Sequence, residues 1–293
     1  MASPSPTPTA TPTATPRPFD PTQVITATFM TRPPEIDGNL DDWVLNDGVS
    51  LDASTASTVR PTSVPPPPPW DISARIWAAW DSNFLYIAAT VLDDVLVSDS
   101  PDVWHDDQLE FGFDGAFDGL FGGPDDHQIT INADGRVTDF GFTNLSGVIQ
   151  RSVTVMGDGY EVEMAIPLSV LQPPRWEAGQ SVGFNIGLHD DDDGGNWDHY
   201  LIWQGSATNA QPENFGRLFL EPGCHRADVH PNTDHSNATA CDGDVDIADV
   251  QRIAGCWLQP VGSSCPPALD LDTSGDIGLP DIIIAAGYWG WRR

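Results

Sequence analysis

The sequence predicts a mostly β chain: an antiparallel, jelly-roll-like β-sandwich followed by a small α-helical module built on a duplicated calcium-type loop. Three observations predict it. Between Thr22 and Glu221, about ten short stretches carry the alternation or apolar density of strands, separated by Gly, Asp, Asn and Pro turn signals. No helical period of any length interrupts them. After Glu221 the chain repeats itself at an offset of 32 residues, so that Gly243, Asp249, Ala254, Gly255 and Trp257 return as Gly275, Asp281, Ala286, Gly287 and Trp289.

Composition narrows the function. The formal net charge is −31, from 43 acids against 12 positive residues, every one of them Arg. Only seven of the acids are Glu, and Asp is the residue of turns, caps and calcium loops. Phosphate backbones and anionic lipid would repel such a chain, so nucleic acid and membrane are not expected as partners; glycans and Ca2+ are. No apolar run is long enough to span a bilayer.

In order, residues 1–21 are a Pro/Thr-rich linker without core-forming residues, and a chain that opens inside such a repeat reads as a fragment of a longer secreted bacterial protein. Residues 22–221 form the sandwich. Val24, Thr26 and Thr28 open it as a strand, and Leu40–Trp43 make one helical turn that tucks Leu40 and Trp43 inward after the Asp37-Gly38 turn. Residues 46–71, with five consecutive prolines, read as a surface excursion. Ala74–Trp80 and Leu85–Leu92 form a hairpin, with Trp80 in the core and Trp77 either exposed or packed on a neighbour. Further hairpins turn at Asn132–Gly135 and Gly157–Gly159, a short helical turn follows at Pro167–Leu171, and strands at Ser181–His189 and Leu201–Gln204 flank an acidic loop. Residues 222–236 are a second linker, and 237–293 the repeat module.

Within the sandwich, WHDDQLEFGFD (104–114) carries the chemistry. From Gln108 it alternates, with Leu109, Phe111 and Phe113 on one face and Gln108, Glu110 and Gly112 on the other. A Trp at a strand entrance beside carboxylates has the parts of a sugar site: the ring stacks on sugar C–H groups and the acid accepts from hydroxyls. Trp104 and Glu110 are the leading candidates, with Gln128 and Trp197 beside them. A catalytic reading is weak. Glu161 and Glu163 share a strand face, but no nucleophile motif accompanies them, and His105, His127 and His189 form no triad with a Ser motif. Asp190–Asp193 with Asp198 read either as a calcium loop or as solvated loop acids.

In the tail, Asp270, Asp272 and Ser274 stand at positions 1, 3 and 5 of a twelve-residue loop, with Gly275 at 6 and Asp281 at 12. This is the spacing by which an EF-hand wraps calcium. In the first copy only Asp242, Asp246 and Asp249 remain as possible ligands. Cys224, Cys241, Cys256 and Cys265 cluster here, an even count that suggests two disulfides in an oxidising compartment; pairing of neighbours is the simplest of three connectivities.

Residues 24–221 resemble a family 9 carbohydrate-binding module in IDGNLDDW (36–43), WDSNFLYIAATVLDD (80–94), WHDDQLEFGFD (104–114), YEVEMAIPLSVL (160–171), SVGFNIGLHDDD (181–192) and NFGRLFLE (214–221). The resemblance implies a sugar held between two Trp side chains, the first matching Trp104, with Glu110 as a sugar-contacting acid. The place of the second is Asn209, and that of an expected Arg is Thr130. The tail resembles a dockerin type I module, which implies calcium and a cohesin-like or intramolecular partner. The reading is a non-catalytic module for xylan- or cellulose-like polysaccharide. The alternative is an assembly protein whose sandwich has lost sugar binding.

Overall fold

The computed structural model describes residues 23–30, 32–43, 45, 48–141, 143–171, 176–221, 247–260, 265, 269, 271 and 274–287. Thirteen strands join in one curled, sandwich-like sheet. They are β1 (Val24–Phe29), β2 (Val49–Leu51), β3 (Thr58–Arg60), β4 (Ile72–Trp80), β5 (Phe84–Asp93), β6 (Gln108–Asp114) and β7 (Asp126–Asn132), followed by β8 (Val137–Asp139), β9 (Gln150–Met156), β10 (Gly159–Pro167), β11 (Ser181–Asp190), β12 (His199–Ile202) and β13 (Gly216–Leu220). The hydrogen-bonded path runs β8-β7-β6-β11-β13-β1-β4-β5-β10-β9, with β2 on β4, β12 on β11 and β3 on β12.

The expectation of a purely antiparallel sandwich needs one correction. β1 is parallel to both its neighbours, pairing Val24 with Arg217 on one side and Ala27 with Ala78 on the other. The first strand therefore threads between the last strand and the first long hairpin and joins the two halves of the sheet. Ile25 and Ala27, both buried, are its contribution to the core.

The sheet folds over one main core. Leu109, Phe111 and Phe113 of β6, Ile129 and Ile131 of β7 and Phe184, Ile186 and Leu188 of β11 face Ile76, Ile87, Val91, Tyr160 and Val162 from the other half. Burying that many large side chains drives the fold. Trp43 and Trp77 belong to a second, smaller cluster with Tyr86, so Trp77 is packed rather than exposed. There Glu163 accepts from Trp43 Nε1 (2.7 Å) and from the Asp37 (3.0 Å) and Gly38 backbone amides, which anchors the Asp37-Gly38 turn. Residues 46–71, read as an excursion, carry β2 and β3, because the Ala74–Ile76 stretch of β4, which β1 does not reach, and the outer edge of β12 leave backbone groups that a passing segment satisfies. Pro167 ends β10, and the Val170 and Leu171 amides bond back to the Pro167 (3.1 Å) and Leu168 (3.3 Å) carbonyls in two overlapping turns where a short helical turn was expected.

Among the described residues the tail has two helices, α1 (Ile247–Gly255) and α2 (Leu279–Gly287), related by the 32-residue offset of the sequence repeat. Ile253, Leu269, Leu271, Ile277 and Ala285 pack with the Cys256–Cys265 disulfide between them. Cys224 and Cys241 lie outside the described residues. No described helix is long and apolar enough to cross a membrane.

Candidate functional site

The pleat of β6, β7 and β11 sends one set of side chains to the core and the alternate set to the opposite face. On that face Glu110 lies beside Gln128 and His189, and β12 adds Tyr200. Two glycines allow a closing loop to approach. A Cβ at Gly112 would lie 2.2 Å from the Thr208 carbonyl, and one at Gly187 would meet the Tyr200 ring at 2.7 Å. Without side chains there, residues 203–211 settle on the sheet and Tyr200 reaches across to Glu110.

The result is a cleft of about 450 Å³, within the range that takes a small ligand, lined by Arg60, Trp104, Glu110, Gln128, Phe140, His189 and Trp197 with Tyr200, Ser206, Ala207 and Asn209. All four sequence candidates, Trp104, Glu110, Gln128 and Trp197, come together in it. Trp104 sits in the 3-10 turn Val103–His105, anchored by buried Val103, with its own side chain 38% exposed. Its ring meets Phe140 edge-on at 5.4 Å, while Trp197 packs against His189 (6.0 Å) and Tyr200 (5.9 Å). Half-exposed aromatic rings held by other rings are ready-made platforms.

Glu110 forms the floor and is only 3% exposed. Gln128 Nε2 donates to one carboxylate oxygen at 2.6 Å, and the Thr208 hydroxyl donates to the same atom. His189 Nε2 faces the other oxygen at 3.1 Å and Tyr200 Oη lies 3.5 Å from it. Burial pushes the Glu110 carboxyl up, but the His189 ring, then Thr208 and Gln128, outweigh burial and hold it below the usual carboxylate range. His189 Nδ1 faces the Trp104 carbonyl at 3.2 Å. Both ring nitrogens thus face protein oxygens, which fixes the plane of the ring. Burial, and then the charge of Glu110, raises Tyr200 well above an ordinary phenol, so it remains a hydroxyl donor.

Sequence reasoning missed Phe140 and Tyr200, and weighed His189 only as a catalytic base. The parity of His189 and Tyr200 on their strands was a usable signal. Arg60 carried none, since its place follows from the long-range pairing of β3 with β12. Asn209, at the position of the family's second Trp, lines the cleft. Thr130 does not; it is fully buried and donates to the Thr138 carbonyl at 3.3 Å. Glu161 and Glu163 lie outside the cleft as well.

A second acidic group closes one end of the core. Asp93 from β5, Asp107 before β6 and Asp190 from β11 bring carboxylate oxygens within 4.8 Å of one another, all three buried. Asp93 Oδ2 and Asp190 Oδ1 have no hydrogen-bond partner, nor does the Tyr160 hydroxyl, which feels all three charges. Burial first, with neighbouring carboxylates adding, pushes Asp107 up to about 9; burial likewise takes Asp93 to about 7 and Asp190 to about 6. Oxygens bound to calcium at 2.3–2.6 Å span at most about 5 Å, so this donor set fits that ion. Acids of the expected grouping, Asp190–Asp193 with Asp198, also take part in other acidic groups. Asp191 groups with Asp99 and Asp106, Asp192 with Asp71 and Asp94, and Asp198 accepts from the Asp192 amide at 3.0 Å. β11 ends at Asp190, so Asp191–Asp193 and Asp198 belong to the loop that follows and not to the strand that carries Asp190 to the core.

In the tail, Asp281 is fully buried and accepts from the Leu271 amide (2.6 Å) and the Gly278 amide (2.7 Å), capping α2 as well as standing at loop position 12. Ser274 donates to the Asp276 carbonyl at 3.0 Å, and Asp249 is buried at the start of α1. Asp270, Asp272, Asp242 and Asp246 lie outside the described residues.

Comparison with known proteins accords with this geometry. Residues 36–222 match the model of the carbohydrate family 9 binding domain-like family. The chain is 26% identical over 206 residues to endo-1,4-beta-xylanase A of Thermotoga maritima, covering 67% of this chain and 18% of the relative. It is 28% identical over 204 residues to exoglucanase XynX of Acetivibrio thermocellus, covering 68% and 17%. It therefore spans less than a fifth of the length of these curated relatives. The fold is shared with a family 9 carbohydrate-binding module from Caldicellulosiruptor kristjanssonii. In complex with cellotriose, that module aligns at a TM-score of 0.58 and 24% identity, covering 71% of this chain and 99% of that one. In complex with glucose, the score is 0.55 at 22% identity, over 73% and 99%. The match is to a binding domain, not a catalytic one: this chain belongs to the carbohydrate family 9 binding domain-like family.

Proposed function

We propose that the chain is a carbohydrate-binding module that takes a sugar ring into the cleft at Trp104, and that it serves as the non-catalytic targeting part of a secreted, glycan-degrading protein. One observation carries the reading: two half-free Trp rings converge on a buried carboxylate whose protein donors are already in place. Sugar C–H groups stack on Trp104 and Trp197, and hydroxyls reach Glu110, Gln128 and Asn209. The floor needs no rearrangement to accept them, which lowers the cost of binding. The cellotriose and glucose complexes of the Caldicellulosiruptor module, and the xylanase and exoglucanase relatives, support cellulose- or xylan-like chains as the ligand.

Titration of the purified protein with cello- and xylo-oligosaccharides tests it. Saturable binding is expected, weakened roughly tenfold or more by Trp104→Ala, since losing a stacking platform costs about 1–3 kcal/mol. No binding to either series, or binding indifferent to Trp104→Ala, would end the reading.

Calcium belongs to the same proposal. Asp93, Asp107 and Asp190 hold it at the end of the core, where it supplies the positive charge that three buried carboxylates lack. Asp270, Asp272, Ser274 and Asp281 hold a second ion in the tail, and Asp242, Asp246 and Asp249 form the weaker first-copy counterpart. The tail then offers a docking surface for a cohesin-like or intramolecular partner, favoured by the exposure of Ile247, Leu279 and Ile283 on its helices.

A further inference from the structure

Arg60 reaches the cleft from an unexpected quarter. Pairing of β3 with β12 sets it opposite Tyr200, on the face where the Tyr200 hydroxyl meets Glu110. Its guanidinium is anchored by one bond, from Nη2 to the Ser206 carbonyl at 2.7 Å, and its charge is felt by the Tyr200 phenol. Among the described residues no carboxylate lies within ion-pair distance of it, although the chain carries 43 acids. Arg136, by contrast, is paired with Asp106. Arg60 is exposed, so holding it at the rim incurs little desolvation, and the remaining guanidinium donors form the flat fork that matches a carboxylate.

Resting on the sugar-binding reading, we infer that the cleft selects a sugar residue bearing a carboxylate, a uronate, over its neutral counterpart, and that Arg60 is the specificity determinant. The charges in the cleft fix the orientation. Glu110 makes the floor negative, so hydroxyls face inward to Glu110 and Gln128 while the carboxylate stays at the rim on Arg60. The charge of the whole chain limits the ligand further. At −31 it repels a polyanion such as a polyuronate, so the fitting ligand is a largely neutral glycan carrying isolated uronates.

The test compares pairs that differ only in a carboxylate: glucose against glucuronate, cellobiose against cellobiouronate, and xylotriose with and without one glucuronate branch. Each pair is titrated calorimetrically in low and high salt against the wild type, Arg60→Gln and Arg60→Lys. The wild type is expected to favour at least one acidic member by roughly tenfold at low salt, as a charge-assisted, partly desolvated contact allows. Raising the salt shrinks that ratio. Arg60→Gln brings it to about one, and Arg60→Lys keeps part of it. A ratio of one in the wild type for every pair overturns the inference while neutral binding leaves the sugar-binding reading intact. A preference unchanged in Arg60→Gln also overturns it, as does an equal loss on both members of a pair, which would make Arg60 a donor to hydroxyls. If no sugar of either kind binds, both readings fall together.

Discussion

Glu110 and Asp107 stand three residues apart near the start of β6, both buried, and they are completed in opposite ways. Gln128, Thr208 and His189 all serve Glu110, and the net effect holds it below the ordinary carboxylate range despite burial. Asp107 shares its space with Asp93 and Asp190 and rises to about 9. On β11 the same division falls between adjacent residues: His189 turns to the cleft and Asp190 to the end of the core. Each strand thus contributes to two sites on opposite faces. Desolvation burdens both carboxylates. Asp107 accepts the Val97 amide (2.5 Å) and the Asp191 amide (2.7 Å), yet only at Glu110 do the protein's own donors outweigh burial. A site finished by its own donors is rigid and ready for a neutral hydroxyl. A site left with partnerless oxygens calls for a cation or for protons.

The largest break in this comparison comes at Glu110. Glu110→Ala leaves Gln128, Thr208 and the His189 ring without their common acceptor, and stability should fall by about 3–5 kcal/mol in denaturant unfolding, as when one partner of a buried pair is removed. Calcium should sharpen the other half. At a hundredfold excess over its dissociation constant it adds about 2.7 kcal/mol, read as a rise in Tm over the EDTA-treated protein. In Asp107→Asn that part of the rise should disappear, leaving only what the tail contributes. A wild-type Tm indifferent to calcium would refute the cation assignment.

The pH dependence separates the two sites by sign. Asp190, Asp93 and Asp107 have folded values of about 6, 7 and 9, above the roughly 3.9 of an unfolded Asp. The folded state then binds more protons than the unfolded one, so in EDTA stability should decrease as pH rises from about 5 toward 9. Glu110 is lowered, so its contribution is present at neutral pH and is lost only as pH falls through its folded value, on the acid side. Melting curves at several pH values in EDTA check this. Calcium should flatten the alkaline decline, because it holds the three carboxylates ionised. A stability that instead rises with pH in EDTA would contradict the cluster's shifted titration.

How much of this was legible in the sequence follows from the range of the forces involved. Alternation marked the core strands and the 108–113 segment, because burial on one face leaves a period of two in the chain itself. Trp104, Glu110, Gln128 and Trp197 were found from that parity, from local chemistry and from family resemblance. The parallel pairings of β1 were invisible, since nothing local in VITATF distinguishes a parallel partner from an antiparallel one. Arg60 was hidden for the same reason. The buried acidic cluster was not legible, because proximity along 190–198 suggested one loop site. The buried group brings Asp93 from β5 and Asp107 from the approach to β6 to Asp190, whose parity points to the core.

The smallest expected effect tests the cleft rather than the core. Phe140 and Trp104 are both about two-fifths exposed and touch edge-on at 5.4 Å, with His105 against the Trp ring on another side at 5.4 Å. Neither contact buries enough surface to matter for folding, so Phe140→Ala should leave Tm nearly unchanged. What it removes is a wall that keeps the Trp104 ring in place for a sugar. Edge-to-face pairs are worth about 0.5–1.5 kcal/mol, so oligosaccharide affinity should weaken by a few-fold, with most of the loss entropic as the ring gains freedom. Calorimetry on Phe140→Ala beside Trp104→Ala reads this directly, and in the double variant the two losses should not add, because Phe140 acts through Trp104. Full additivity would mean that Phe140 contacts the sugar itself and that the cleft has a third platform.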